Sequence, residues 1–276
     1  MCANLVPHMA FTRTGILVAA LVMLGAAPQN PLVRARQQYN LQQYDAAIAA
    51  AREAQARPDL ADAAAVVLGR AHLERYRMSS EAADLAAARE SLVAIDAVRL
   101  AARDRVELLF GLGELLYFEG HFGAAAELFG AAIGSASPAD GTDRDYVLDW
   151  WAMALDHEAQ GAGDAERRHL YARMLERVEP AAAGGHPSAA AMYWVAAAAA
   201  GMDDFGRAWH AAIAAWVRAP LAAAPRASLR ADLDRLVQQV IIPGRAVMLP
   251  PSADRKQAIS DMQSEWTAIK ELGLRR

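Results

Sequence analysis

Val106 to Pro138 reads VELLFGLGELLYFEGHFGAAAELFGAAIGSASP. Leu109, Leu112 and Leu116 recur at helical spacing up to about Glu119, and Gly120-His121 interrupts them. A second apolar stripe, Phe122, Ala125, Phe129 and Ala132, runs to about Gly134. The spacing predicts two helices joined by a tight turn. Gly113 and Ala125 are small where antiparallel helices must come closest, because a larger side chain there would wedge them apart. Phe122 and Phe129 fill the groove between the helices, and Pro138 prevents the chain from continuing as helix.

The same spacing recurs on both sides of this unit. Ala35, Ala47 and Ala54 repeat the small positions, with Tyr44 before the second helix and Pro58 after it. Leu68-Gly69 lies 34 residues beyond Ala35, but the helix that follows (Leu85, Ala88, Leu92, Ile95) is displaced by about seven residues. The segment ERYRMSSEAAD, residues 74–84, is therefore expected to be a longer inter-helix loop. Late in the chain, Ala196, Phe205, Ala208, Ala215 and Pro220 give the pattern again. A period near 34 residues, with an aromatic–Leu-Gly–Tyr helix followed by an Ala–Phe–Pro helix, resembles the tetratricopeptide repeat. Leu109 stands where that family usually has Trp, and Pro138 sits one residue late. The resemblance covers roughly residues 30–222 and is weakest over 143–179. It implies an all-α, right-handed solenoid of antiparallel helix pairs.

The weak stretch still reads as helix. Thr142 is a candidate N-cap, and Asp143 and Asp145 suit the positive end of a helix. Tyr146, Trp150 and Trp151 lead into an apolar stripe ended by Gly161-Ala162-Gly163. A second helix is expected from Asp164 to Glu179, stopped by Pro180, with a linker over 181–187. Beyond Pro225, a helix from Arg226 to Ile242 and a last one from Ser252 to Leu272 are separated by a Pro-Gly and Pro-Pro break. The last carries Ile259, Met262, Trp266 and Ile269 at helical spacing, as a helix covering the open end of a repeat array would. The expected organisation is thus an N-terminal segment 1–27, repeats over 28–222, and C-terminal helices over 223–276.

Composition agrees with an all-helical chain: 276 residues, 55% hydrophobic and only 7% aromatic, with much of the apolar fraction alanine. Lys256 and Lys270 are the only lysines among 28 basic residues. Alanine and arginine at the expense of lysine is the signature of GC-rich coding, so Gly69, Gly113, Phe122, Phe129 and Pro220 carry more of the argument than any alanine match. Net charge is −4 with both signs interspersed, and no basic stripe suited to nucleic acid follows a helix.

Gly15 to Ala27 (GILVAALVMLGAA) is an unbroken apolar run behind Arg13. Its length and flanks fit a secretory signal, or an uncleaved anchor, better than a transmembrane helix, which needs about 20 apolar residues. The expectation is a periplasmic or secreted protein whose mature chain inserts in no membrane. Cys2 is the single cysteine and lies before this run, so the mature chain would offer neither disulfide nor thiolate chemistry.

Sequence signs of catalysis are few. The histidines show no metal-ligand spacing, since His157-Glu158 begins like a zinc-protease helix but Gly161 stands where a second histidine is required. Asp140, Asp143 and Asp145 lack the central Gly and terminal Glu of a calcium loop. No nucleophile elbow and no phosphate-cradling Gly-rich loop is present. The expectation is a non-catalytic scaffold without cofactor or metal that binds a protein or peptide partner. A periplasmic small-molecule or lipid carrier with an enclosed apolar cavity is the alternative. The resemblance places the binding groove on the first helix of each pair: Arg36, Tyr39 and Asn40; Arg70, Leu73 and Glu74; Phe110, Glu114, Tyr117 and Phe118; then Trp151 and Glu158. Tyr117, Phe118 and Trp151 suit a core between repeats equally well.

Overall fold

A computed structural model describes residues 30–135, 143–185, 187–221 and 228–274. The apolar run at Gly15–Ala27, Pro138, Thr142 and Pro225 lie outside the described residues. Within them the chain is helical throughout, with no strand. The helices are α1 (Pro31–Asn40), α2 (Tyr44–Gln55), α3 (Ala61–Ser79), α4 (Ala82–Val93), α5 (Ala102–Phe118) and α6 (Phe122–Ser135). They continue with α7 (Arg144–Gly161), α8 (Asp164–Ala183), α9 (Ala189–Gly201), α10 (Phe205–Arg218), α11 (229–247) and α12 (Arg255–Leu274). Each helix of α1–α10 packs on the next in the chain. The odd-numbered helices also touch one another in order, α1 on α3, α3 on α5, α5 on α7 and α7 on α9, and so form a shared inner layer.

Three turns have the same construction. Gln42, Gly120 and Asp203 sit at φ of 60°, 81° and 63°, each just past the end of an odd-numbered helix. Their N–H groups bond the carbonyls of Tyr39, Tyr117 and Ala200, and the next N–H, of Gln43, His121 and Asp204, reaches back to Gln38, Leu116 and Ala199. This pair of bonds satisfies carbonyls that the helix end would otherwise leave bare. An aromatic residue follows every time, Tyr44, Phe122 and Phe205, and starts the even-numbered helix. The repeat is therefore written in backbone geometry as well as in side chains.

Packing explains the alanine. Ala35, Ala47, Ala51, Ala54 and Ala64 are fully buried where α1, α2 and α3 cross, and Ala125, Ala132, Ala196 and Ala208 do the same further along. Glycine serves where even a methyl is too large. A Cβ on Gly69 would fall 2.5 Å from Leu92 Cγ of α4, and one on Gly113 would fall 2.6 Å from the Phe129 ring of α6.

The elements depart from sequence expectation in four places. Residues 74–84 are not a long loop. Instead α3 continues to Ser79, and Ser80, at φ 58°, turns the chain straight into α4. Nothing in ERYRMS breaks a helix, and the Arg77–Glu74 pair lies one turn apart along it. Second, Asp143 rather than Thr142 caps α7, its Oδ1 accepting from the N–H groups of Asp145 and Tyr146. Third, Pro180 does not stop α8, which adds a last turn to Ala183. Proline so near a helix end removes one backbone bond without breaking the helix body. Fourth, Pro243-Gly244 lies inside α11. A π-helical turn, Val237–Ile241, widens the helix ahead of the proline and relieves its clash with the preceding turn. Gly244 then makes room for the ring of Phe205. The break falls at Pro250-Pro251, and Asp254 caps α12 by accepting from the N–H groups of Lys256 and Gln257.

Helix α12 packs on α10 and α11. Trp266 is fully buried against the rings of Trp209 and Trp216, and its indole N–H donates to Asp234 at 2.7 Å. Among the described residues no helix is long and apolar enough to cross a membrane.

Candidate functional site

Helices α1 and α5 both pack on α3, and they are joined to each other through Arg36 Nη2 and Asp104 Oδ1 at 2.6 Å. Behind that bridge lies a cavity of about 420 Å³ bounded by α1, α3, α5 and the first turn of α7. Helix α1, the turn after it and the first residue of α2 contribute Arg36, Tyr39, Asn40, Gln42 and Tyr44. Helix α3 contributes Val66, Val67, Arg70, Glu74 and Arg77. The next two inner helices add Arg103, Asp104, Val106, Glu107 and Phe110, then Asp143, Tyr146 and Val147. On each helix these residues follow the i, i+3, i+4, i+7 pattern with a few adjacent ones beside it, so one face of every inner helix points into the same space.

Arg70 is the centre of the arrangement. Its guanidinium is stacked between the Tyr39 ring, 5.1 Å away, and the Phe110 ring, 4.6 Å away. Its Nη1 donates to Glu107, and its Nε faces Glu114 Oε2 at 3.5 Å, an ionic contact too long for a hydrogen bond of useful strength. Both of those buried atoms lack a hydrogen-bond partner. Glu74 accepts two bonds from Arg77, at 2.6 and 2.9 Å. Burial pushes the Glu114 carboxyl up to about 8; Arg70 opposes that rise, and the neighbouring Glu74 and Glu107 reinforce it. Burial likewise raises the Tyr39 hydroxyl well above its usual range, against the pull of Arg70. Tyr146 is raised by burial and by the charges of Glu114 and Glu74.

Six of the residues expected in a groove, Arg36, Tyr39, Asn40, Arg70, Glu74 and Phe110, line this one cavity, and Glu114 lies directly behind Arg70. The other five go elsewhere. Tyr117 and Phe118 are half-buried between α5 and α7, packed edge-on to each other and to Trp150, with Tyr117 also against Phe122 and His157. Phe118 reaches Tyr76 of α3. Trp151 is buried on another side of α7, near Gly130 of α6 and beneath the Arg177 guanidinium. Leu73 is core, and Glu158 accepts the Gly123 N–H at 2.8 Å and so caps α6. On α7 the inward residues are Asp143, Tyr146 and Val147, whose stripe continues to Trp150; one residue further round a helix is a rotation of about 100°. Arg77, Arg103, Asp104 and Glu107 were also missed. Their signal is the i, i+4, i+7 continuation of Arg70 along α3 and of Glu114 backwards along α5.

The cavity's described lining contains no Ser, Thr, Cys, His or Lys, hence no nucleophile beyond carboxylate and phenol. Among the described residues no group of three or more His, Cys, Asp or Glu is placed to hold a metal ion. The buried His72, bonded through Nδ1 to Asp84 at 2.7 Å with Arg75 on the other carboxylate oxygen, ties α3 to α4. No family model matches the chain, and neither a curated protein nor a solved structure matches it.

Proposed function

We propose that this chain is a tetratricopeptide-like scaffold, exported to the periplasm or secreted, that holds a segment of a protein or peptide partner in the α1–α3–α5–α7 cavity. The observation that carries the reading is the Arg70 assembly: aromatic faces, guanidinium and carboxylates converge on one space that opens between exposed Asn40, Gln42, Arg103 and Asp143. Aromatic walls supply contact area, and charges of both signs set the orientation of what enters. The three equivalent turns and the layer of odd-numbered helices support the repeat reading and, with it, the right-handed solenoid. A lipid carrier would call for an enclosed apolar cavity, whereas charged side chains from α1, α3 and α5 and from Asp143 at the cap of α7 line this one.

The test is capture from the native envelope fraction with the wild-type chain and with Tyr39→Ala, followed by identification of what is retained. A partner held by the wild type and lost with Tyr39→Ala, at unchanged fold, is expected. Retention that is indifferent to Tyr39 places the binding site elsewhere. The export part of the reading is checked by N-terminal sequencing of the exported protein, which should begin after the first ~27 residues; an intact Met1 or Met9 on a cytoplasmic protein overturns it.

A further inference from the structure

We propose that a second site, where α6, α7 and α8 meet at the surface, binds a tetrahedral oxyanion of the phosphate type, with Arg144, Arg173 and Arg177 as its cations and the Trp151 indole N–H at its floor. None of these residues lines the cavity at Arg70, so the inference does not depend on what that cavity holds.

The indole N–H comes first. Trp151 is 1% exposed, and its Nε1 has no hydrogen-bond partner although the Arg177 guanidinium lies over the same ring, 4.8 Å from its centre. A buried donor left unbonded is costly, and this one faces a gap rather than a packed wall. Gly130 of α6 leaves the gap. A Cβ at that position would sit 3.5 Å from Trp151 Nε1 and 3.9 Å from Arg177 Nη1, with no other helix coming closer. Two donors from two helices therefore converge on the space of one missing side chain. An acceptor oxygen settling within about 1 Å of that point is in hydrogen-bond reach of both. Gly130 is only half-buried, so the gap lies at the surface and not in the core.

Positive charge gathers around the same point. Arg144 lies two turns before Trp151 on one face of α7, and Arg173 lies one turn before Arg177 on α8. Burial lowers the pKa of Arg177, and the charges of Arg173 and Arg144 lower it further, against the pull of Glu127 on α6. Glu127 is bonded to Arg173 at 2.7 Å, whereas Arg144 and Arg177 are exposed and have no ionic partner among the described residues. Three guanidinium groups thus face one carboxylate. A phosphate ester carries about −1.5 to −2 charges at pH 7 and three free acceptor oxygens, which suits that surplus. A carboxylate brings one charge and two oxygens, and would leave part of the cluster unmatched. Arg177, long and exposed, turns its Nη groups onto the anion while the indole N–H takes an oxygen beneath it.

The experiment titrates sodium phosphate, phenyl phosphate or sodium acetate into the full chain at pH 7, with ionic strength held constant by sodium chloride. The readout is the Trp151 indole N–H resonance, assigned by its absence in Trp151→Phe. Phosphate is expected to shift that resonance saturably, with Kd of about 1 mM or below, and acetate to bind about tenfold or more weaker. Two variants test the geometry. Gly130→Ala puts a methyl in the gap at ordinary contact distance and in a helix that favours alanine, and Arg144→Gln changes an exposed side chain, so neither should lower the melting temperature. Each should weaken phosphate about tenfold. Phenyl phosphate binding as tightly as phosphate supports the site and assigns it to phosphate esters; phosphate binding with phenyl phosphate excluded supports it for the free ion. No saturable shift up to about 10 mM phosphate, acetate binding as tightly as phosphate, or phosphate binding unchanged in both variants overturns the inference.

Discussion

The ring of Phe129 rests on the backbone of Gly113, so close that a Cβ on that glycine would fall 2.6 Å from Cε1 and 2.8 Å from Cδ1. The ring has nowhere to retreat. It is fully buried, with Phe110 at 5.3 Å and Trp150 at 5.8 Å between centroids. Any side chain at position 113 therefore pushes α5 and α6 apart or drives Phe129 into its neighbours. We predict that Gly113→Leu destabilises the protein by about 2–4 kcal/mol in denaturant melts. A loss below about 1 kcal/mol would show that the crossing is looser than its geometry.

Glu114 links folding to pH. A carboxyl held protonated up to about pH 8 in the folded chain ionises near its ordinary value, 4.5, when unfolded. Between those limits the folded state binds the extra proton, so this group's contribution to stability is greatest at and below the unfolded value and declines as pH rises toward 8. The slope is at most about 1.4 kcal/mol per pH unit. Glu114→Gln removes the titration while keeping the shape. The variant should lose stability less steeply than the wild type between pH 5 and pH 8. Parallel pH profiles would mean that Glu114 is ionised throughout.

The α5–α6 pair was legible because its two strongest signals are local. Gly120 permits the positive-φ turn, and Phe122 two residues on begins the next helix, as Tyr44 and Phe205 do in the equivalent turns. The length of α3 was not legible. Its last turn holds neither Gly nor Pro, and the stop depends on Ser80 adopting φ 58°, which serine rarely signals. The inner face of α7 was misread for a related reason. Trp150 and Trp151 are both buried and both aromatic, so the sequence offers two registers about 100° apart, and only the packing of Tyr146 and Trp150 against Phe110 selects one. For the cavity, the positions carried over from the tetratricopeptide resemblance pointed to Arg70 and Glu74. That Arg36 would meet Asp104, 68 residues away, depends on how three helices pack together, and no local pattern encodes that.

Trp266 is the keystone of the C-terminal end. It is fully buried against Trp209 and Trp216, and both its indole N–H and the Lys270 ammonium are bound to Asp234. Trp266→Ala leaves a large cavity and an Asp234 deprived of one donor. We expect it to cost about 3–5 kcal/mol. Limited proteolysis should then cut within Arg255–Leu274 first, since only this helix loses its anchor. Uniform cleavage across α1–α10 would show instead that the helices unfold as one unit.

Tyr39 and Tyr117 provide the last test, because they lie at equivalent places on the inner helices α1 and α5, each contributing its carbonyl to one of the three equivalent turns, yet do different things. Tyr117 is wedged among Phe118, Phe122, Trp150 and His157, with no share in the cavity lining. Tyr39 covers one face of Arg70 and forms part of the cavity wall. Tyr117→Ala should therefore lower stability by about 2–3 kcal/mol, somewhat below the cost for a fully buried aromatic, and leave ligand binding intact at temperatures where the variant is folded. Tyr39→Ala should do the reverse, with affinity down about tenfold or more and a smaller stability loss. Melting and binding measured on the same two variants decide the matter. If Tyr117→Ala abolishes binding while barely shifting the melt, the aromatic cluster between α5 and α7, not the cavity at Arg70, is where the partner sits.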